Sequence, residues 1–203
     1  MHRKTIVIAS QNENKCREIT DILKDCPDIL LRKTDDFPFL PTVEEDGNTF
    51  RENAVKKATI LAKTCNTWTM ADDSGLEIDA LNGRPGVYSS RYAGLNATDE
   101  DNIKKVLSEL KGVEKEQRTA RFKCSIALAG PQHLFLVAEG SCEGIIIEKP
   151  AGKHGFGYDP IFYVPDYNRT FAELSPEIKN EISHRGKALK LFKDRVIPLI
   201  QSF

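Results

Sequence analysis

A strand that leads directly into a helix is encoded by residues 5–15, which read TIVIASQNENK. The apolar and β-branched run from Thr5 to Ala9 predicts a short buried strand. A helix is predicted from about Asn14 to Lys24, because apolar side chains recur there at helical spacing. A strand joined to a helix by a few polar residues is characteristic of α/β proteins, so this stretch sets the expected fold class.

The same alternation continues along the chain. A second strand is predicted at 29–32, followed by a proline-containing acidic loop at 38–47 and a helix that begins at a cap, Asn48 or Thr49. Two further strands are predicted at 67–71 and 76–81, on either side of residues 72–75. Another helix is predicted from Thr98 to about Lys111. Residues 118–129 and 134–148 predict two long antiparallel strands joined by a Gly-Pro turn. A helical tail begins at the cap Ser175 and bends near Pro198. We therefore expect an α/β protein with an antiparallel section between helical layers.

Composition excludes several functional classes. The 203 residues are 40% apolar and 29% charged with a formal net charge of −1, so no general positive field attracts nucleic acid or anionic lipid. The apolar runs are too short to span a bilayer. The five cysteines lack a Cys-x-x-Cys pair, which predicts reduced thiols in a cytoplasmic protein. We expect one domain over residues 1–203, with neither a nucleic-acid nor a membrane partner.

The turn between the first strand and the first helix is a candidate phosphate site. Unpaired backbone N–H groups and the helix dipole favour an anion at a helix start. Ser10 and Asn12 can donate hydrogen bonds there, and Lys15 adds a full positive charge. The spacing is not that of a Walker P-loop. Serine and asparagine at a helix start can also act simply as caps, and both interpretations stay open.

Two adjacent acids, Asp72 and Asp73, follow an apolar segment that contains Trp68 and Met70. Neighbouring carboxylates repel each other unless a cation compensates them. Such oxygen-rich positions suit Mg²⁺, which keeps several waters and bridges to phosphate oxygens. The acidic pair Glu44-Glu45 can supply another carboxylate. The alternative interpretation is a solvated acidic turn.

A glycine-aromatic turn and a basic segment occupy the second half of the chain. Residues 155–162 read Gly-Phe-Gly-Tyr-Asp-Pro-Ile-Phe, where the glycines allow close approach of another group and the rings offer flat faces. These features suit the grip on a planar ring such as a nucleobase, although an ordinary aromatic turn over the core gives the same pattern. Lys179, His184 and Arg185 add donors that suit a carbonyl or phosphate oxygen.

Several long motifs occur in order along almost the whole chain. They are Ser-x-Asn-x-x-Lys at 10–15, Glu44-Glu45 followed by Thr-Phe-x-Glu-Asn-Ala-x-x-Lys at 49–57, Ala-Asp-Asp-Ser-Gly-Leu at 71–76, Pro-Gly-Val-Tyr-Ser-x-Arg-Tyr at 85–92, the 155–162 motif, and Ser-His-Arg-Gly at 183–186. In this combination the chain resembles the inosine triphosphate pyrophosphatase family, in its bacterial-type branch. Members of that family hydrolyse non-standard purine nucleoside triphosphates.

The resemblance implies roles for individual residues. Residues expected to hold the triphosphate are Ser10, Gln11, Asn12, Glu13, Asn14, Lys15 and Lys57. Mg²⁺ is expected at Glu45 and Asp73, with Asp73 as proton acceptor and Asp72 as its competitor for that role. Ser74 is expected to contact the substrate. The base is expected to be enclosed by Phe156, Gly157, Tyr158, Asp159, Lys179, His184 and Arg185.

The resemblance also implies a fold and a reaction. The family fold is an elongated α/β protein with a mixed sheet and two lobes around a central nucleotide-binding cleft, and members are typically homodimers. Mg²⁺ neutralises phosphate charge while a carboxylate deprotonates a water that attacks the α-phosphorus in line. The products are the nucleoside monophosphate and pyrophosphate. A 6-oxo purine accepts from Arg185 or His184, whereas the adenine amino group leaves a donor unpaired.

One position departs from the family pattern, and two other functions compete with this one. Gln11 stands where relatives usually carry glycine, so a turn that needs a positive φ would be strained there. A Maf-type pyrophosphatase acting on pyrimidine or modified nucleotides is the nearer rival. The other rival is a non-catalytic nucleotide sensor or single-strand binder, which the neutral net charge and the paired acids disfavour.

Overall fold

The computed structural model describes residues 3–37 and 40–201, so Pro38 and Phe39 of the predicted acidic loop lie outside the described residues. Within these ranges the chain forms seven strands and five α-helices. In chain order they are β1 (Lys4–Ile8), α1 (Glu13–Leu23), β2 (Ile29–Lys33), α2 (Phe50–Cys65), β3 (Trp68–Ile78), α3 (Asp99–Glu109), β4 (Thr119–Ala129), β5 (Leu134–Ile146), β6 (Phe162–Val164), β7 (Arg169–Thr170), α4 (Pro176–Ile182) and α5 (His184–Gln201).

The strands form one mixed sheet in the order β2-β1-β3-β4-β5-β6-β7. β1 pairs in parallel with both β2 and β3, whereas β6 pairs antiparallel with both β5 and β7. Only residues 130–133 join β4 to β5, and a connection this short requires the two neighbours to run antiparallel. The expected α/β class and the antiparallel section are confirmed. In the described ranges no helix is both long and apolar enough to cross a bilayer.

The chain divides into two compact units. The first unit comprises the residues up to Asp73, residues 124–140 and the residues from Arg185 onward. The second comprises residues 74–123 and 141–184. Three of the four boundaries fall inside strands, so β3, β4 and β5 supply residues to both units, and the fourth falls at the start of α5.

The first unit contains two apolar clusters. The alternation of side chains along β1 and β3 decides which cluster each of their residues joins. Ile6, Ile8 and Met70 belong to a cluster with the apolar stripe of α1 and with α5. Ala9 and Ala71 belong to a second cluster with the alanine-rich face of α2. Successive side chains on a strand point to opposite faces, so one face of β1 and β3 meets α1 and α5 while the other meets α2.

The second unit has a core of aliphatic and aromatic side chains. Phe122, Phe162 and Phe171 lie at its centre, and the rings of Phe122 and Phe162 have centroids 4.6 Å apart. Leu76 and Val106 are fully buried in the same cluster. This core anchors the segments on either side of the 155–162 turn.

Helix starts follow the predicted capping residues. Thr49 caps α2, where its side chain accepts a hydrogen bond from the backbone N–H of Glu52. Thr98 caps α3, and Ser175 caps α4 with Pro176 in the first turn. These caps were predictable because the hydroxyl and the N–H that it accepts from are only three residues apart.

The prediction of two strands separated by a break at residues 72–75 was wrong. β3 runs without interruption from Trp68 to Ile78, so Asp72 and Asp73 lie inside a buried strand. Buried carboxylates are tolerated only when cations or donors compensate them. Lys15 and Arg185 compensate Asp72, and Asn53 donates to Asp73.

Candidate active site

Asp72 and Asp73 project from opposite faces of β3. Asp72 continues the row of Trp68 and Met70, which meets α1 and α5. Asp73 continues the row of Ala71, which meets α2. The two acids are therefore neighbours in the chain with separate surroundings.

Asp72 is an ion-pair anchor. The ammonium of Lys15 lies 2.7 Å from its Oδ1, and Nε of Arg185 donates to its Oδ2 at 2.8 Å. The Cys124 thiol also donates to Oδ2, with Sγ at 3.1 Å. Burial alone raises the pKa of a carboxyl, but Arg185 and Lys15 outweigh it and hold the pKa of Asp72 well below its usual range. An ionised carboxylate held by two cations is a weak base, so Asp72 is the poorer candidate for proton acceptor.

Arg185 bridges two carboxylates. Its Nε and Nη2 donate to Asp72, and its Nη1 donates to Glu18 at 2.5 Å. The side chain is buried, and the charges of Asp72 and Glu18 raise the pKa of its guanidinium against the opposing effect of burial. These contacts lie within the first unit and hold α1, β3 and α5 together. The structure thus gives Arg185 an anchoring role, while its contact with a base stays a prediction.

Asp73 has the properties of a general base. Nδ2 of Asn53 donates to its Oδ2 at 2.9 Å. Burial raises the pKa of Asp73 to about 6, with Lys15 and Asn53 lowering it and the charges of Glu45 and Asp72 raising it. A carboxyl whose pKa lies close to neutral accepts a proton more readily than an ordinary aspartate.

α2 presents a polar pair to the carboxylates of Asp73 and Glu45. Asn53 and Lys57 are four residues apart and therefore lie on the same helix face. Asn53 donates to Asp73, and the ammonium of Lys57 forms an ion pair with Glu45. The loop before α2 thus carries Glu45 back to the helix that contacts Asp73.

The turn before α1 combines a helix cap with the predicted phosphate-binding residues. Oδ1 of Asn12 accepts from the backbone N–H of Lys15 at 3.0 Å, and Oγ of Ser10 accepts from the N–H of Asn12 at 3.2 Å. Gln11 does not adopt a positive φ, so the strain expected at this position is absent. Glu13 forms an ion pair with Lys33.

The second unit contains a buried ion pair beneath the 155–162 turn. Nζ of Lys179 lies 2.5 Å from Oδ2 of Asp159, and both residues are less than 5% exposed. The same Oδ2 accepts from the backbone N–H of Phe156 at 2.9 Å. The Lys179 ammonium also lies 4.7 Å from the centroid of the Phe156 ring. Asp159 and Lys179 therefore fix the position of the half-buried Phe156 ring.

Glycine is required at position 155. Its φ is +75°, and a Cβ there would lie 2.0 Å from Oδ2 of Asp159. The group whose close approach Gly155 permits is therefore the Asp159 carboxylate. Gly157 also has a positive φ, and its N–H donates to Asp99.

Two predicted base-binding side chains belong to the core of the second unit. Tyr158 is 4% exposed, and its hydroxyl donates to the backbone carbonyl of Ser89 at 2.8 Å. His184 is buried and stacks on Phe122, with centroids 4.7 Å apart and ring planes within 10°. Of the three rings in the 155–162 turn, Phe156 is the most accessible, since Tyr158 and Phe162 are buried. Ser74 is half-buried on β3 next to Asp73.

The predicted site residues thus form two sets. The first unit brings together Ser10–Lys15, Glu45, Lys57, Asp72, Asp73 and Arg185, and the second holds Ser74, Phe156–Asp159, Lys179 and His184. Sequence reasoning assigned no role to Asn53, Glu18 or Cys124. The four-residue spacing of Asn53 and Lys57 on a predicted helix was a usable signal. Glu18 and Cys124 gave none, because their partners are remote in sequence.

The oxygen ligands of the first unit fit a magnesium ion. Among residues 3–37 and 40–201 no group of three or more His, Cys, Asp or Glu could hold a metal by itself. Mg²⁺ characteristically uses one or two protein carboxylates and completes its shell with substrate phosphates and waters. Glu45 is close enough for its charge to raise the pKa of Asp73, and a cation would relieve that repulsion.

Comparison with known proteins decides the family. A model of the Ham1 family matches residues 6–195. The chain belongs to the Ham1 family. A relative from Desulforamulus reducens named dITP/XTP pyrophosphatase is 53% identical over 185 residues, covering 91% of this chain and 92% of the relative. One of the same name from Bacillus subtilis is 51% identical, covering 92% and 94% respectively. The predicted resemblance is confirmed.

Solved Ham1-family structures share the fold. A HAM1 protein from Coxiella burnetii superposes with a TM-score of 0.87 at 47% identity and covers 96% of this chain and 99% of its own. The Staphylococcus aureus Ham1 protein gives a TM-score of 0.86 at 44% identity, with the same coverage. At this level of identity the α/β architecture of this Ham1-family chain is shared along nearly its full length.

Proposed function

We propose that this Ham1-family protein hydrolyses non-standard purine nucleoside triphosphates (ITP, dITP and XTP) to the monophosphate and pyrophosphate. Relatives named dITP/XTP pyrophosphatase, about half identical over nearly the full length, support the substrate class. The observation that carries the chemistry is the buried Asp73 carboxyl with a pKa of about 6, next to Glu45 and Lys15. Such a group suits proton abstraction at neutral pH.

Asp73 is the proposed proton acceptor. Asn53 holds its carboxylate, so that Asp73 can take a proton from a water aligned with the α-phosphorus. Glu45 and Asp73 would hold Mg²⁺, which would supply neutralisation of the phosphate charge. Lys15 and Lys57, with the N–H groups at the start of α1, stabilise the charge that grows on the departing pyrophosphate. Asp72 takes no proton and fixes Lys15 instead.

Base selection is assigned to the second unit. Phe156 offers its ring to the purine, braced by the Asp159–Lys179 pair. His184 is the preferred donor to a 6-oxo group, because the described contacts of Arg185 are with Asp72 and Glu18. An adenine amino group would meet that donor without an acceptor, which costs roughly 1–3 kcal/mol.

The remaining expectations belong to this proposal. They are a single domain over residues 1–203, Mg²⁺ as the metal, a homodimeric assembly and a cytoplasmic location.

Pyrophosphate release from ITP, dITP, XTP, ATP and UTP, with Mg²⁺ or with EDTA, tests the function. Metal-dependent release that prefers the non-standard purines is the expected result. Preference for UTP would favour a Maf-type pyrophosphatase. Binding of ITP without any release would favour a nucleotide sensor.

A further inference from the structure

An internal cation already contacts the proposed metal ligand Glu45. The ammonium of Lys57 forms an ion pair with Oε1 of Glu45, and the two side chains are only 16% and 26% exposed. Water screens partly buried pairs less than exposed ones, so the attraction between Lys57 and Glu45 is stronger than that within an exposed pair. The ion pair of the neighbouring α2 residue Lys56 with Asp46 in the preceding loop is more exposed, at 35% and 58%.

The carboxylates of Glu45 and Asp73 contact different groups of α2. Asp73 accepts a hydrogen bond from the neutral amide of Asn53, whereas Glu45 receives the full charge of Lys57. Lys15 is also close enough to lower the pKa of Asp73. A divalent cation that arrives alone must therefore approach two ammonium groups and replace Lys57 at Glu45. Both effects oppose metal binding to the nucleotide-free protein.

We propose that Lys57 is a resident counter-ion of Glu45 that blocks the metal until a triphosphate is present. The inference rests on the proposed function and adds an order of assembly to it. A triphosphate offers Lys57 a new anionic partner and brings its own negative charge to the cation. Lys57 then moves from Glu45 to phosphate, and Glu45 becomes available to the metal. Metal and triphosphate bind cooperatively, and linkage makes the effect reciprocal.

Mn²⁺ binding to the nucleotide-free protein tests this exchange without any turnover. Free Mn²⁺ is measured by electron paramagnetic resonance during titration of the wild-type protein, Lys57→Met and Lys56→Met. Methionine keeps an unbranched apolar chain and removes the charge. We expect Lys57→Met to bind Mn²⁺ on the order of tenfold more tightly than the wild type, a typical coupling between two ligands. Lys56→Met is the matched control and should leave the affinity unchanged.

A double-mutant cycle shows whether the effect passes through Glu45. In a Glu45→Gln background, Lys57→Met should no longer tighten Mn²⁺ binding, because the contested carboxylate is gone. Unchanged or weaker Mn²⁺ binding by Lys57→Met would overturn the proposal, as would an equal gain in the Glu45→Gln background. Failure of the wild type to release pyrophosphate from ITP would instead count against the proposed function and leave the Mn²⁺ comparison readable.

Discussion

The carboxylates of Asp72 and Asp73 leave opposite faces of one strand, and their pKa values shift in opposite directions. Asp72 meets Lys15 and Arg185, which hold its pKa well below the usual range despite burial. Burial dominates at Asp73 and raises its pKa to about 6. A single step along β3 thus separates an ionised anchor from the proposed proton acceptor, and different consequences follow from removing each charge.

Replacing Asp73 by asparagine should abolish turnover while substrate binding largely survives. The amide keeps the shape of the side chain but cannot accept a proton from water. The loss should be at least 100-fold in the rate of pyrophosphate release from ITP, the usual scale of general-base catalysis. Binding of ITP to the variant is measured by calorimetry with Ca²⁺ present. A near-normal rate would remove Asp73 from the mechanism.

The same substitution should stabilise the protein in a pH-dependent manner. The pKa of Asp73 is about 6 in the folded state, above its ordinary value of 3.8, so the folded state binds a proton at Asp73 more tightly than the unfolded chain does. The stabilisation that this proton gives the folded state is fully present below the unfolded pKa of Asp73 and is lost as pH rises through about 6. Asp73→Asn should therefore raise the free energy of unfolding by roughly 3 kcal/mol at pH 8, and by little at pH 4. Urea unfolding in EDTA measures both, and a pH-independent difference would contradict the assignment.

Asp72→Asn should have the opposite effect on stability. The neutral amide leaves Arg185 and Lys15 without the anion that they share, and removing one partner of a buried pair typically costs about 3–5 kcal/mol. Urea unfolding at pH 8 compares Asp72→Asn with Asp73→Asn, two isosteric changes at adjacent positions. If both variants shift the free energy of unfolding in the same direction, the assignment of separate environments to the two acids is wrong.

The two glycines of the 155–162 turn provide a matched pair. Ala at position 155 places Cβ against Oδ2 of Asp159, whereas Ala at position 157 meets nothing within 4 Å. Both changes carry the cost of a positive φ, about 1 kcal/mol, but only Gly155→Ala displaces Asp159 from Lys179. We expect Gly155→Ala to lower the free energy of unfolding by at least 2 kcal/mol more than Gly157→Ala. It should also raise KM for ITP, since Phe156 loses its support. Equal effects would show that Asp159 does not brace the turn.

His184→Phe tests base selection while preserving the core. Phenylalanine can keep the stacking on Phe122 but offers no hydrogen bond to a 6-oxo group. The ratio of kcat/KM for ITP over ATP should fall about tenfold, the value of one lost discriminating hydrogen bond. The exposed His154 provides the control, His154→Phe, which should leave the ratio unchanged. An unaltered ratio in His184→Phe would move selection to another side chain. Arg185→Ala is the next variant to test for the ratio, provided that the variant folds.

Local sequence predicted the parts of the fold that depend on near neighbours. The caps Thr49, Thr98 and Ser175 were predictable because each contacts an N–H three residues away. The strand at Thr5–Ala9 followed from its own apolar pattern and differs from β1 by one residue at each end. The break expected at residues 72–75 failed for the converse reason, since the groups that compensate Asp72 come from α1 and α5.

By itself, the sequence determined the α/β class, the family and the residue types of the site, because motifs and periodicity are properties of short segments. Tertiary structure alone decided which acid two cations hold ionised and which acid has a raised pKa. Arg185 reaches Asp72 across 113 positions in the chain, and it also reaches Glu18. Asn53 donates a hydrogen bond to Asp73 on the opposite face of the strand. A carboxylate acquires its chemistry from its surroundings, and packing brings those surroundings together from remote parts of the chain.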